Sequence, residues 1–184
     1  MRLILCAIAG AASLSGLAGP REAISLVEIP AGHFVMGSPL SEAGRGADEV
    51  QHDVTISRPF FMGRFEVTQQ QWREFTGASP SHFTDCGPEC PVERVTFAEI
   101  QDFLHKLNAT QAEIVYRLAT EAEWEYACRA GTASPFSTGA NVTTGEASYD
   151  GRFPYATFAP GSPAGADKGR HVHGERLGPC GHSR

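Results

Sequence analysis

The stretch Tyr116-Arg117-Leu118-Ala119-Thr120-Glu121-Ala122-Glu123-Trp124-Glu125-Tyr126-Ala127-Cys128-Arg129-Ala130-Gly131-Thr132 carries the densest local folding signals in the chain. Thr120 has the side chain of a helix N-cap, and Glu123 is placed to complete a capping box with it. Glu121 and Glu123 put carboxylates at the positive end of the helix dipole. Arg129 falls in the last turn, and Gly131 supplies the usual stop. The pattern predicts a helix of about ten residues, a length ordinary for a capped globular helix. The apolar run Ile114–Leu118 ahead of it predicts a strand. Trp124 and Tyr126 point to different sides of such a helix, which predicts burial on more than one face.

Working outward, the same capping signature recurs twice. Thr68 and Gln71 open a helix with Trp72 and Phe75 as its apolar stripe and Gly77 as its end. Thr96 and Glu99 open another, in which Ile100, Phe103, Leu104 and Leu107 recur at i, i+3, i+4 and i+7. Strands are predicted over residues 24–29, 33–37, 52–56 and 60–67, and Pro30-Ala31-Gly32 suggests that the first two form a hairpin. Residues 38–49 and 78–92 read as loops, and beyond Gly131 no regular element is expected apart from an extended piece at 149–155. Strands, then helix, loop, helix, strand and helix make an α+β domain in which helices pack on a small antiparallel sheet.

At 184 residues the chain is long enough for one domain, and 41% hydrophobic residues support a core. Gly 20 and Pro 12 fit a fold rich in irregular loops. A net charge of -6 argues against general nucleic-acid binding, which needs a basic surface. Residues 1–18 have the layout of a secretory signal: Arg2, an apolar run over 3–12, and small residues before a cut after Ala18. A buried N-terminal strand or a membrane anchor is the alternative. On the export reading the protein is periplasmic or secreted, and no other segment is apolar over a spanning length. Cleavage would remove Cys6 and leave Cys86, Cys90, Cys128 and Cys180 in a disulfide-permissive compartment. Cys86-Gly87-Pro88-Glu89-Cys90 then reads as a small disulfide loop, with half a metal site as the alternative. Glu121, Glu123 and Glu125 are read as capping and solvated carboxylates rather than an acid–base pair. Phe60, Phe61, Phe65, Trp72 and Trp124 are read as core.

Four runs together resemble the sulfatase-modifying factor family, whose founding activity is that of the formylglycine-generating enzyme. They are Ile29-Pro30-Ala31-Gly32-His33-Phe34-Val35-Met36-Gly37-Ser38, Phe60-Phe61-Met62-Gly63-Arg64-Phe65-Glu66-Val67-Thr68, Cys90-Pro91-Val92-Glu93-Arg94-Val95-Thr96-Phe97 and the opening stretch. Ala119 departs from the family's usual proline before Thr120. The resemblance implies a C-type-lectin-like domain, here its N-terminal portion over residues 24–160, truncated before its end. It implies oxidation of a cysteine in a sulfatase-type peptide to Cα-formylglycine, with copper held by two cysteines near the C-terminal end of the family's domain. Those ligands are absent here, so no catalytic residue is assigned and this chain is expected to be inactive. Calcium is the other implied cofactor, and Ser148 and Tyr149 lie in a loop resembling the family's calcium loop. Cys128 resembles a structural family position whose partner lies downstream. The implied partner is a sulfatase-type cysteine peptide or another protein, with no nucleic acid and no membrane after leader cleavage. A non-catalytic lectin-like binding module is the alternative, and an iron-dependent sulfoxide synthase ranks last because its helical domain with metal-binding histidines is missing.

Residues 161–184 read as an aberrant tail. Shifting the frame by one base over Glu175 to Cys180 permits Asn-Ala-Trp-Gly-Leu, a run the family carries at this point. On that reading His171, His173, Cys180 and His182 resemble metal-ligand spacing only as products of a wrong frame.

Overall fold

In the computed structural model, the described residues are 5–9, 24–42, 45–110 and 114–134. In chain order the elements are β1 (Leu5–Ala9), β2 (Leu26–Ile29), β3 (Gly32–Met36), β4 (His52–Ile56), β5 (Phe60–Gly63), α1 (Gln69–Thr76), α2 (Phe97–Asn108), β6 (Ile114–Leu118) and α3 (Glu121–Arg129). They sort into two compact units. The first comprises Met1–Pro30 and Arg58–Ala119, the second Ala31–Ser57 and Thr120–Arg184.

The first unit is built on a sheet of order β2-β5-β1-β6, every neighbouring pair antiparallel. Its core gathers Leu5 and Ala7 of β1, Val67, Trp72 of α1, Val92, the predicted stripe Ile100, Phe103, Leu104 and Leu107 of α2, and Ile114 and Tyr116 of β6. Trp72 stacks on Phe103 at 5.0 Å, and Phe75 meets the same ring edge-on at 5.5 Å, geometries that aromatic quadrupoles favour. The outer edge of β6 is not left bare. Asn108, the last residue of α2, donates from Nδ2 to the Tyr116 carbonyl at 2.9 Å, and its Oδ1 accepts from the Tyr116 N–H at 2.7 Å. A side-chain amide thus does what a further strand would do for that residue.

The second unit is a β3–β4 antiparallel pair with α3 packed on it. Tyr126 meets Phe34 at 5.3 Å between ring centroids. Gly32 leaves room for the Tyr126 hydroxyl, which would have to shift if a Cβ stood there. Gly37 is required at its position: its φ of 92° is left-handed, and a Cβ would come within 2.8 Å of the Val50 carbonyl oxygen.

All three predicted capping boxes are present, Thr68 with Gln71, Thr96 with Glu99 and Thr120 with Glu123. The helices end close to the expected places, α1 on Gly77 at φ 75°. For α3 the first left-handed residue is Ala130 at φ 45°, one ahead of the expected Gly131, which follows at φ 84°. The hairpin of residues 24–29 with 33–37 is corrected. β2 pairs with β5 and β3 with β4, so the Pro30 turn separates strands of different sheets. The strand predicted over 60–67 stops at Gly63, where the chain turns and the Arg64 N–H donates to the Ser25 carbonyl at 2.8 Å. Residues 5–9, inside the segment read as a leader, form the strand β1.

Candidate functional site

A cleft of about 330 Å³ opens between α1 and the cysteine loop, lined by Gln69, Arg73, Ser79, Ser81, Thr84, Gly87 and Pro88. Helix α1 presents Gln69 and Arg73 at i and i+4, so both lie on one face, while Trp72 is turned into the core. The loop is drawn against the start of α1 by backbone bonds. The Gln69 N–H donates to the Cys90 carbonyl at 2.8 Å and the Gln70 N–H to the Pro88 carbonyl at 3.0 Å. Two donors that a helix start leaves unpaired are thereby satisfied by the loop itself. The Val92 N–H donates to the Val67 carbonyl at 2.9 Å, next to a bridge between Thr68 and Pro91.

Side chains complete the frame. Buried Gln69 donates from Nε2 to the Phe83 carbonyl at 2.7 Å and to the Pro91 carbonyl at 3.4 Å, spanning the loop from inside. The carboxylate of Glu93 accepts from the backbone N–H groups of His82 and Phe83. Ser81 Oγ accepts from the Glu93 N–H at 3.2 Å. Arg73 donates from Nε to Ser79 Oγ at 3.0 Å at the cleft wall. The arrangement offers a guanidinium and three hydroxyl-bearing residues on a braced frame. It is suited to hydrogen-bonding a polar segment and contains no nucleophile–base pair.

The loop is closed by a disulfide between Cys86 and Cys90, their Cα atoms 6.0 Å apart, as the spacing predicted. Cys128 is buried on α3 and is itself disulfide-bonded. Cys6 is buried in β1. Copper(I) of the kind the family uses needs thiolates, and both members of the Cys86–Cys90 pair are committed to a sulfur–sulfur bond. The cysteines of the described residues do not fit that metal. Among the described residues there is also no cluster of three His, Cys, Asp or Glu side chains placed to hold an ion. Ser148 and Tyr149, the expected calcium loop, lie outside the described residues.

Two expectations change in the second unit and at the surface. Glu125 neither caps nor points only into water. Its Oε1 accepts from the Gly37 N–H at 2.8 Å and from Arg129 at 2.8 and 2.7 Å, while Arg129 Nη2 donates to the Gly37 carbonyl at 2.8 Å. The pair clamps both backbone groups of the glycine that follows β3. Phe65 is 48% exposed with Arg64 stacked over its ring at 5.8 Å, so it is not core. The cleft residues Gln69 and Arg73 were missed by the sequence reading. The detectable trace was their i, i+4 spacing, which places both on one face of the predicted helix.

The sulfatase-modifying factor enzyme 1-like domain profile matches residues 16–170. A chaperone protein, LppX, of Paenibacillus barcinonensis is 27% identical over 72% of this chain and 55% of its own length. The formylglycine-generating enzyme of Mycobacterium tuberculosis is 26% identical over 71% of this chain and 61% of its own. Among solved structures, PvdO from Pseudomonas aeruginosa superposes with a TM-score of 0.56 at 32% identity, covering 60% of this chain and 49% of that one. The chain thus spans about half to three fifths of the length of the relatives it matches. Its few helices and antiparallel sheets fit the C-type-lectin-like formylglycine-generating-enzyme fold. On a match covering most of its length, this chain belongs to the sulfatase-modifying factor enzyme family.

Proposed function

We propose that this chain is an exported member of the formylglycine-generating branch, and that its described residues form a recognition scaffold for a sulfatase-type cysteine peptide without an oxidation centre of their own. The observation that carries the reading is the cleft on α1. A peptide backbone is recognised by fixed donors and acceptors, and Gln69, Glu93 and the disulfide hold the cleft wall in place. The chemical state of the cysteines supports the second half of the proposal, since Cys86 and Cys90 are consumed in the loop closure. Export rests on the composition of residues 1–18 and accords with the disulfide. Among the described residues no helix is long and apolar enough to cross a membrane.

The test is incubation of the 184-residue protein with cuprous ion, oxygen, a thiol reductant and a sulfatase-type cysteine peptide. The reading predicts peptide binding that weakens on Arg73→Ala, with no aldehyde trapped by a hydrazide probe. Conversion of the cysteine to Cα-formylglycine would overturn it. A second reading, a non-catalytic lectin-like module, is favoured by the chaperone name of one relative. It predicts that a peptide with serine in place of the cysteine binds equally well, whereas a formylglycine-type site prefers the thiol.

A further inference from the structure

In the sheet of the first unit, β1 runs antiparallel to β5 on one side and to β6 on the other. Strands β5 and β6 therefore point the same way and do not pair with each other; each uses an edge on β1. The register is continuous on the β6 side, from Leu5 opposite Leu118 to Ala9 opposite Ile114, and Cys6 and Ala7 face Met62 and Phe61 of β5. Leu5, Cys6 and Ala7 are consecutive and are 1%, 0% and 0% exposed. Successive residues of a strand point to opposite faces, so β1 is covered on both. A strand of that kind needs a continuous apolar run rather than an alternating one. The apolar run of an export leader has the same composition, which is why one segment satisfies both descriptions.

We propose that the gap between β5 and β6 is a strand-acceptor site and that residues 5–9 remain in it as a bound strand after the chain is cut behind residue 18. The site takes an extended, proline-free apolar segment that runs antiparallel to both walls, with a small side chain at the Ala7 position. Ladder hydrogen bonds supply the attachment and the alternating pockets supply the register, the mode by which an exposed sheet edge captures a peptide. A break in the chain beyond Ala9 leaves every ladder contact of Leu5–Ala9 in place. Departure of the strand strips both β5 and β6 of backbone partners and removes Leu5 and Ala7 from the core. The proposal rests on the export reading only for the natural cut.

The experiment introduces a protease site between residues 18 and 19 of the full chain, cuts the folded protein and passes it over a sizing column. The expected result is co-elution of the N-terminal fragment with the remainder. A labelled peptide of residues 3–11 should exchange into the complex, and the same peptide with Ala7→Pro, which lacks one ladder N–H, should not. In the uncut natural chain, Cys6 should react with a thiol reagent at least tenfold more slowly than in denaturant, a readout independent of the inserted site. Departure of the fragment, equal exchange of the proline peptide or an unprotected Cys6 overturns the proposal. The N-terminal mass of the exported protein tests the export reading separately, since an uncut N-terminus sinks that reading and leaves the engineered-cut result standing.

Discussion

Different forces order the described residues of the two units, each taken by itself. The first is organised by apolar burial: Trp72, Phe103 and Ile100 are almost completely removed from water, and Leu5, Val92 and Leu107 join them. The described residues of the second include a ring contact, Phe34 with Tyr126, and a polar clamp of Glu125 and Arg129 on Gly37. Burial is non-directional and tolerates local error, whereas a clamp on one backbone position depends on geometry and on both charges being present. The α1 cleft lies on the unit whose described residues form the apolar cluster, where a packed core supports an irregular loop.

This contrast can be broken most forcefully in the first unit. Phe103→Ala removes the ring that both Trp72 and Phe75 touch and should cost about 3–5 kcal/mol, read as a shift in denaturant midpoint. An effect below about 1 kcal/mol would mean that the stack is not the centre of the core. In the second unit Arg129→Ala leaves Glu125 against the Gly37 N–H without its counter-charge. With the two side chains 17% and 19% exposed, the expected cost is about 1–3 kcal/mol. A double-mutant cycle with Glu125→Gln should show strong coupling, and additive losses would remove the clamp from the account. The cap variant Thr96→Ala should cost about 1 kcal/mol by freeing the Glu99 N–H.

The smallest effect is a pH dependence. Hydrogen bonds from the Thr96 backbone N–H and hydroxyl hold the Glu99 carboxyl below its ordinary range. Because its folded-state pKa is depressed, its contribution is present above the ordinary carboxylate range and is lost as pH falls through the depressed value. Glu99→Gln should remove that slope from the acid limb of the stability curve, and an unchanged acid limb would remove Glu99 from the explanation.

The helices were legible because their signals are local. A capping box joins residues three apart, and Thr68, Thr96 and Thr120 all carry it out. Pairing of strands was less legible because it is non-local: Pro30-Ala31-Gly32 has hairpin composition, yet β2 finds its partner in β5, whose buried Phe60 and Met62 belong to the larger sheet. The N-terminal apolar run reads as a leader by composition, and a doubly buried strand needs the same residues. Glu125 was underread for a similar reason. Its partner Arg129 is visible at i+4, but Gly37 lies 88 residues away in sequence. Of the site, Cys86 and Cys90 were legible from spacing, while the cleft depends on how the 78–92 loop folds back on α1, which no periodicity encodes.

The central claim is that the cysteines of the described residues are structural and hold no copper. A titration of the folded 184-residue protein with cuprous ion against a chromophoric chelator, followed by an unreduced digest, tests it most directly. The account predicts that the chelator keeps the metal and that the Cys86–Cys90 bond is recovered intact. A tight complex with one cuprous ion, accompanied by reduced Cys86 and Cys90, would contradict it.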